Sequence, residues 1–315
     1  MLSLVVPRAI IGALTFIALS LSLVVHFLAF LPFALLKLVS PWQAGRDFWT
    51  RLMVAIAWQF IRTNAVLLRL LTPVRWDIRL DAALDPARNY LLISNHQSWA
   101  DIVLLFDVLR GRVPWLRYFL KKQLIWVPII GFVCWALDFP FMARHSREAI
   151  ARNPELAKED LETTRRACER FRNVPVTIVN FAEGTRFTPA KHAEKQSPYE
   201  NLLPPKSGGL AFAISAMGHE VAGLIDVTIA YRPTRHSLLW SFASGEQAEL
   251  VVEARLHDIP DDILAGDYQN DPAFRARFQQ WVAGFWRAKD ERLRELRSEG
   301  APAPAATLHS GDSRS

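Results

Sequence analysis

The sequence predicts an α/β fold, a sheet flanked by helices, preceded by a membrane-embedded segment and an interfacial helix. Three features carry this. Residues 9–36 contain no Asp, Glu, Lys or Arg; residues 47–71 are apolar but striped with arginine; and after Pro73 short β-type runs alternate with helical ones, the sign of a layered α/β domain. With 315 residues the chain can bury a substantial core. It divides into a membrane anchor and interfacial helix (1–72), a catalytic domain (73–297) and an Ala-, Pro- and Ser-rich tail (298–315) expected to be disordered.

A helix over residues 9–36 would be about 42 Å long, more than the ~30 Å hydrocarbon core of a bilayer requires. It is either one tilted span kinked near Pro32 or a helical hairpin that enters and leaves the same leaflet. The run is too long for the apolar part of a cleaved signal peptide and lacks a small-x-small site. Lys37, Arg46 and Arg51 follow it while only Arg8 precedes it, which places the catalytic portion on the cytoplasmic face, that of the inner membrane in a bacterial cell. In the next helix Arg51, Arg62 and Arg69 fall within roughly 20° of one another at about 100° per residue. Such a stripe suits the lipid headgroup layer; the alternative is a packed helix with one solvated edge.

Composition narrows the class. Hydrophobic residues make up 51% of the chain and the mean hydropathy is +0.10, high for a soluble enzyme and low for a multi-span transporter. A net charge of +6 points to an anionic surface, an anionic substrate or both. Nucleic acid is excluded as a partner because no binding module accompanies the charge. Cys134 and Cys168 form no metal or redox motif and are read as reduced packing residues of a cytosol-facing protein.

Strands are predicted over 74–80, 89–94, 115–120, 139–143, 174–181, 224–231 and 249–256, and helices over 98–109, 122–136, 156–172, 208–217 and 271–297. Residues 191–205 form a polar, proline-bearing loop expected over the active site. Residues 124–137 are a second apolar patch, too short to span a bilayer and interrupted by Pro128 and Gly131. They form either a core helix or part of an acyl-chain cavity, and Trp126 and Trp135 suit core packing and the membrane interface equally.

The chemistry-bearing residues sit just past predicted strand ends. His96 follows the run Tyr90 to Ser94, and Asp101 lies five residues on, where a helix begins. An imidazole held by a carboxylate is a general base for a hydroxyl proton. The same residues also read as a capping box, Ser98 as N-cap with Asp101 in the first turn. The two readings are compatible, since the helix dipole keeps such a carboxylate ionised. Glu183, Gly184, Thr185 and Arg186 follow the apolar run ending at Phe181, and Arg144 closes another strand. Glycine there admits close backbone approach, and arginine's planar fork suits a phosphate monoester. Each arginine taken singly is a solvated surface charge or ion-pair partner; their common position is what points to a ligand, as in open α/β sheets.

Four blocks, Asn95–Asp101, Phe139–Arg144, Phe181–Arg186, and Leu203–Gly209 with Leu224–Tyr231, occur in an order that resembles the glycerolipid acyltransferases typified by 1-acylglycerol-3-phosphate O-acyltransferase. Residues Phe119 to Leu124 resemble that family's Lys-Lys-x-Leu stretch. The Asp226-Val227-Thr228 run replaces the proline-rich strand of many members and is similar to the lysocardiolipin-type and bacterial inner-membrane branch. The resemblance implies a mixed sheet flanked by helices and transfer of a fatty acyl group from acyl-CoA or acyl carrier protein to the free hydroxyl of a lysophospholipid. Membrane phospholipids surround such an enzyme, and it needs no cofactor and no metal. It implies His96 as base, Asp101 as its orienter, and Lys121, in competition with Lys122, as the oxyanion partner. Arg186 and Arg144 would hold the acceptor phosphate, Glu183 would anchor Arg186 or the acceptor, and Gly184 and Thr185 would complete the substrate site. Two rival readings stand beside it: a thioesterase or phospholipase in which the same pair activates water, and a membrane-anchored lipid-binding protein without activity. No G-x-S-x-G elbow and no H-E-x-x-H occur, against a serine nucleophile and a zinc protease.

Overall fold

The computed structural model describes residues 6–81, 83–142, 152, 153, 162, 175–232, 234–247 and 249–299. Helix α1 (Arg8–Val39) runs unbroken through Pro32. It stops at Ser40, whose extended backbone is what a following proline imposes. The turn is then fixed by side chains: Trp49 Nε1 donates to Ser40 Oγ at 2.9 Å and Arg46 Nε to Ser40 O at 3.0 Å. Helix α2 (Gln43–Leu71) folds back along α1, making a helical hairpin.

The hairpin is part of the domain's core. Phe30, Ala34, Met53, Ile61 and Leu68 share one buried cluster with sheet and helix residues that include Leu92, Leu105 and Ile225. Near its N-terminus α1 passes beneath helix α7 (Leu238–Ala243), so close that a Cβ on Gly12 would lie 2.9 Å from the Trp240 ring. Near its C-terminus Lys37 Nζ donates to Asp138 at 2.6 Å and to Ala136 O at 2.7 Å. The helix is thus held lengthwise against the domain, with Ile17, Leu21, Val25, Leu28 and Leu35 exposed on its outer face. In α2, Arg51 and Arg62 are exposed. Arg69 departs from the expected headgroup stripe: it pairs with buried Asp107 at 2.9 Å and lies over the Trp76 ring.

The sheet contains β1 (Arg75–Asp81), β2 (Asn89–Ser94), β3 (Leu116–Tyr118), β6 (Thr177–Phe181), β7 (Val221–Tyr231) and β8 (Glu249–His257), in the order β1-β8-β7-β2-β6-β3. It is mixed. Strands β7, β2, β6 and β3 run parallel, and β8, with β1 parallel to it, runs against β7. Side-chain alternation explains the two cores: Tyr90 and Leu92 join the hairpin and helix α3 (Ala100–Leu109), whereas Leu91 and Ile93 join α6 (Gly208–Met217) and α9 (Pro272–Glu299). Burial on both faces accounts for the near-continuous apolar character of these central parallel strands.

Several elements differ from expectation. The predicted strand 115–120 splits into β3 and β4 (Leu120–Lys121), and β4 pairs with β5 (Phe141–Met142) in a separate two-stranded sheet. The predicted helix 122–136 is a 3₁₀ turn (Lys122–Trp126) followed by α4 (Ile130–Ala136). Pro128 supplies no N–H, Val127 before it is extended, and Ile129 takes a φ of 62°. In α4 Gly131 and Ala136 are buried, Phe132, Val133 and Cys134 pack half-buried against the core, and Ile130 and Trp135 are exposed, so the helix lies at the edge of the core. The 191–205 stretch does not cover the site as a loop. It opens with the short helix α5 (Pro189–Glu194) and is tied to α9 by Glu200 N and Asn201 N donating to Asp290 at 2.9 and 2.7 Å. Helices α5, α7 and α8 (Asp261–Leu264) were not foreseen, being one or two turns long. The predicted helix 156–172 and Cys168 lie outside the described residues. So does the 298–315 tail apart from Ser298 and Glu299, which end α9.

Candidate active site

Because β2, β6, β7 and β3 are parallel, their carboxyl ends lie along one edge of the sheet. Asn95 extends the β2–β7 ladder by one side chain: its Nδ2 donates to Ile229 O at 2.8 Å and its Oδ1 accepts from Ile229 N at 2.9 Å. The main chain is thereby freed to turn at His96 toward α3. His96 Nδ1 meets Asp101 Oδ2 at 2.8 Å, and the imidazole stacks on Phe181 with ring centroids 4.0 Å apart. With Nδ1 so engaged, Nε2 is the ring nitrogen available to a substrate.

Asp101 is fully buried and heavily supported. Its Oδ2 also accepts from Gln97 N at 2.7 Å and Ser98 N at 2.9 Å, while Oδ1 accepts from the Tyr231 hydroxyl. Part of the capping-box expectation survives, since the carboxylate does reach back to Ser98 N. Ser98 Oγ, however, accepts from Ala100 N at 3.2 Å. Bonds of this kind fix the carboxylate in place and, through it, the orientation of the imidazole. Tyr231, at the end of β7, is the residue that sequence reading left without a role. Burial, reinforced by the Asp101 charge, raises its phenol well above the ordinary value, so it remains a proton-bearing donor.

Glu183 is placed differently from expectation. It is completely buried, and its two oxygens accept from His96 N at 2.9 Å and Leu203 N at 3.1 Å, so it holds the His96 loop rather than Arg186 or an acceptor. Burial lifts its carboxyl to about 7, against the opposing pull of those two amides. Gly184 adopts φ +68°, the left-handed region that favours glycine, with the Lys206 side chain directly above it. The Thr185 hydroxyl accepts from Lys191 Nζ at 2.8 Å, and Lys191 also donates to Arg186 O at 3.2 Å. Arg186 lies over the half-exposed Trp99 ring, 5.0 Å from its centroid. Arg144 lies outside the described residues.

Between these groups is a cavity of about 330 Å³ bordered by His96, Trp99, Lys121, Gly184, Thr185 and Arg186 on its polar side and by Ile102, Leu120, Leu124, Val179 and Phe181 on its apolar side. Five of the eight predicted site residues, His96, Lys121, Gly184, Thr185 and Arg186, line one chamber; Asp101 and Glu183 act from behind it through His96, and Arg144 is outside the described residues. Lys122 does not border the chamber. No cluster of His, Cys, Asp and Glu suited to a metal ion occurs among the described residues.

Fold and site together define an α/β enzyme domain with a His–carboxylate pair and a cationic turn at the carboxyl edge of parallel strands. Residues 77–232 match the family model described as Acyltransferase, and this part of the chain is a domain of that family. Relatives at the sequence level include an uncharacterized acyltransferase of Saccharomyces cerevisiae, 28% identical over 67% of this chain and 59% of its own length. The 2-acyl-1-lysophosphatidylinositol acyltransferase of the same yeast is 25% identical over 68% and 62%. The 1-acyl-sn-glycerol-3-phosphate acyltransferase 3 of Arabidopsis thaliana is 30% identical over 54% of this chain and 46% of its own. The chain thus spans less than two thirds of the length of these relatives. Among solved structures, the 1-acyl-sn-glycerophosphate acyltransferase of Thermotoga maritima shares the fold, with a TM-score of 0.54 at 17% identity over 94% of this chain and all of that one.

Proposed function

We propose that the protein is a membrane-associated O-acyltransferase that moves a fatty acyl group from an acyl thioester to the free hydroxyl of a lysophospholipid such as 1-acylglycerol-3-phosphate. One observation carries the reading: His96 is held through Nδ1 by Asp101, at the wall of a chamber with one apolar and one cationic side. In this scheme His96 Nε2 takes the acceptor's hydroxyl proton as the oxygen attacks the thioester carbonyl. The C–O bond forms, the C–S bond breaks, and the proton passes from His96 to the departing thiolate. Neither an acyl-enzyme nor a cofactor is needed; acyl-CoA or acyl carrier protein is the donor. Lys121 is the candidate for meeting the developing oxyanion. Arg186, with Thr185 and the backbone at Gly184, faces the acceptor phosphate, and Arg144 is a second contact.

The activities for which the relatives are named support a lysolipid acceptor, and the exposed apolar face of α1 supports a membrane setting; the cytoplasmic side for the chamber rests on Lys37, Arg46 and Arg51 following the apolar run that only Arg8 precedes. His96→Ala is expected to lower acyl transfer by about 10²–10⁴-fold, the usual contribution of a general base, without changing the melting temperature. Near-normal turnover in a folded variant would end the assignment. Labelled acyl-CoA incubated with and without lysophosphatidate separates transfer from hydrolysis: label should appear in phosphatidate only when acceptor is present. Free fatty acid released equally in both would favour a thioesterase.

A further inference from the structure

No charged residue occurs between Lys122 and Asp138, yet residues 125–128 and Ile130 are exposed, and the segment enters the core only at its far end, where Ala136 and Leu137 are buried. Trp126 is 85% exposed and Trp135 45%, with Ile125, Val127 and Ile130 also open. Contiguous apolar surface of this kind marks an interaction site. Its neighbour indicates what covers it. The Phe132 ring packs edge-on against Phe27 of α1 at 6.0 Å, and Lys37 of α1 closes the far end of α4 through Asp138. The segment therefore lies beside the exposed apolar outer face of the hairpin and continues it. At its other end, Lys121 and Leu124 belong to the rim of the active-site chamber. Lys121 and Lys122 are exposed at that junction. Two exposed tryptophans within an apolar surface, with lysines at its edge, match the chemistry of a lipid interface with anionic headgroups.

We infer that residues 123–135 are a second membrane-immersed element, embedded in the leaflet that takes the hairpin, and that they form the lip over which an acyl chain slides from lipid into the chamber. The inference rests on the proposed acyl transfer only for the second half of that statement. A core packed by Ile125 and Trp126 would have buried them; a soluble loop of this length would carry charge.

Full-length protein is reconstituted in vesicles of phosphatidylethanolamine and phosphatidylglycerol. Trp126→Cys, with Cys134 and Cys168 replaced by Ser, is labelled with an environment-sensitive fluorophore, and Ile130→Cys gives a second probe should the first variant not fold. Both labels are expected to emit to the blue, to be quenched by acyl-chain doxyl lipids, and to resist aqueous iodide. Quenching by iodide but not by doxyl lipid overturns the inference, as does shielding from both with a cross-linked second copy or another protein. Trp126→Glu should then raise the KM for a bilayer-borne lysolipid about tenfold while leaving kcat, and both constants for a monomeric short-chain lysolipid, unchanged. Equal effects on the two acceptors would overturn the lip. If the parent protein transfers no acyl group at all, the proposed function fails while the quenching result still decides immersion.

Discussion

At the residue scale the catalytic pair depends on groups that never reach substrate. Among the described residues, the buried Tyr231 hydroxyl is the donor to Asp101 Oδ1. Tyr231→Phe keeps the ring and removes that donor, leaving a buried carboxylate oxygen without a partner, an error of about 1–3 kcal/mol. Asp101 then holds the imidazole less firmly in its working orientation, and kcat should fall about tenfold, with acceptor KM little changed. An unchanged kcat in the folded variant would leave Tyr231 a packing residue only. Glu183 makes the matching case for stability. Its carboxyl, ordinarily near 4.5, is lifted by burial to about 7, so ionisation costs more in the folded chain than in the unfolded one. Its contribution is therefore fully present below 4.5 and lost as pH rises through 7, a change of roughly 3 kcal/mol. Glu183→Gln should be less stable at low pH, where the amide nitrogen faces one of two backbone N–H donors, and the gap to the parent should narrow by about that amount by pH 8. A constant gap in thermal unfolding across this range would refute the titration.

At the element scale the unusual Asp226-Val227-Thr228 run has a structural partner. Lys289 of α9 is buried and donates to Asp226 Oδ1 at 2.6 Å, Val227 O at 2.5 Å and Thr228 Oγ1 at 3.1 Å, clamping the last helix to β7. Burial lowers the lysine from its ordinary value against the pull of Asp226. Lys289→Met should cost about 3–5 kcal/mol because it strands the carboxylate, and adding Asp226→Asn should recover much of the loss. Additive losses in denaturant unfolding would show that the two do not act as a pair. What the sequence disclosed about the elements follows the same physics. The strands ending at Ser94, Phe181 and Tyr231 were legible because strands buried on both faces are apolar throughout, and α9 because its apolar stripe persists from Phe274 to Leu296. The 122–136 segment reads as one helix despite the visible Pro128, because the positive φ of Ile129 that completes the break leaves no mark in the sequence. Tyr231 could be found only by knowing that β7 lies beside β2, a long-range fact. One local clue, a tyrosine at the strand end parallel to the histidine's strand, carried no chemistry by itself.

At the scale of the whole molecule, the boundary drawn in the sequence near residue 72 is a boundary of composition more than of packing. Side chains of α1 and α2 lie in the same buried cluster as Leu104, Leu105 and Val227, and α1 is fastened to the domain at both ends, under Trp240 and at Asp138. An anchor joined only by a flexible linker could be cut off to leave a soluble domain. Here removal of residues 1–72 would uncover one face of α3 and strip contacts from the sheet, and large-to-small losses at single core positions already cost about 2–5 kcal/mol. The truncated chain is expected to aggregate or to unfold at a much lower temperature than the parent in the same detergent, and to lose activity even toward monomeric short-chain acceptors that need no membrane. Size-exclusion chromatography and thermal unfolding of the two forms decide this: a monodisperse truncated domain with the parent's melting temperature would show that the hairpin rests on the core without contributing to it.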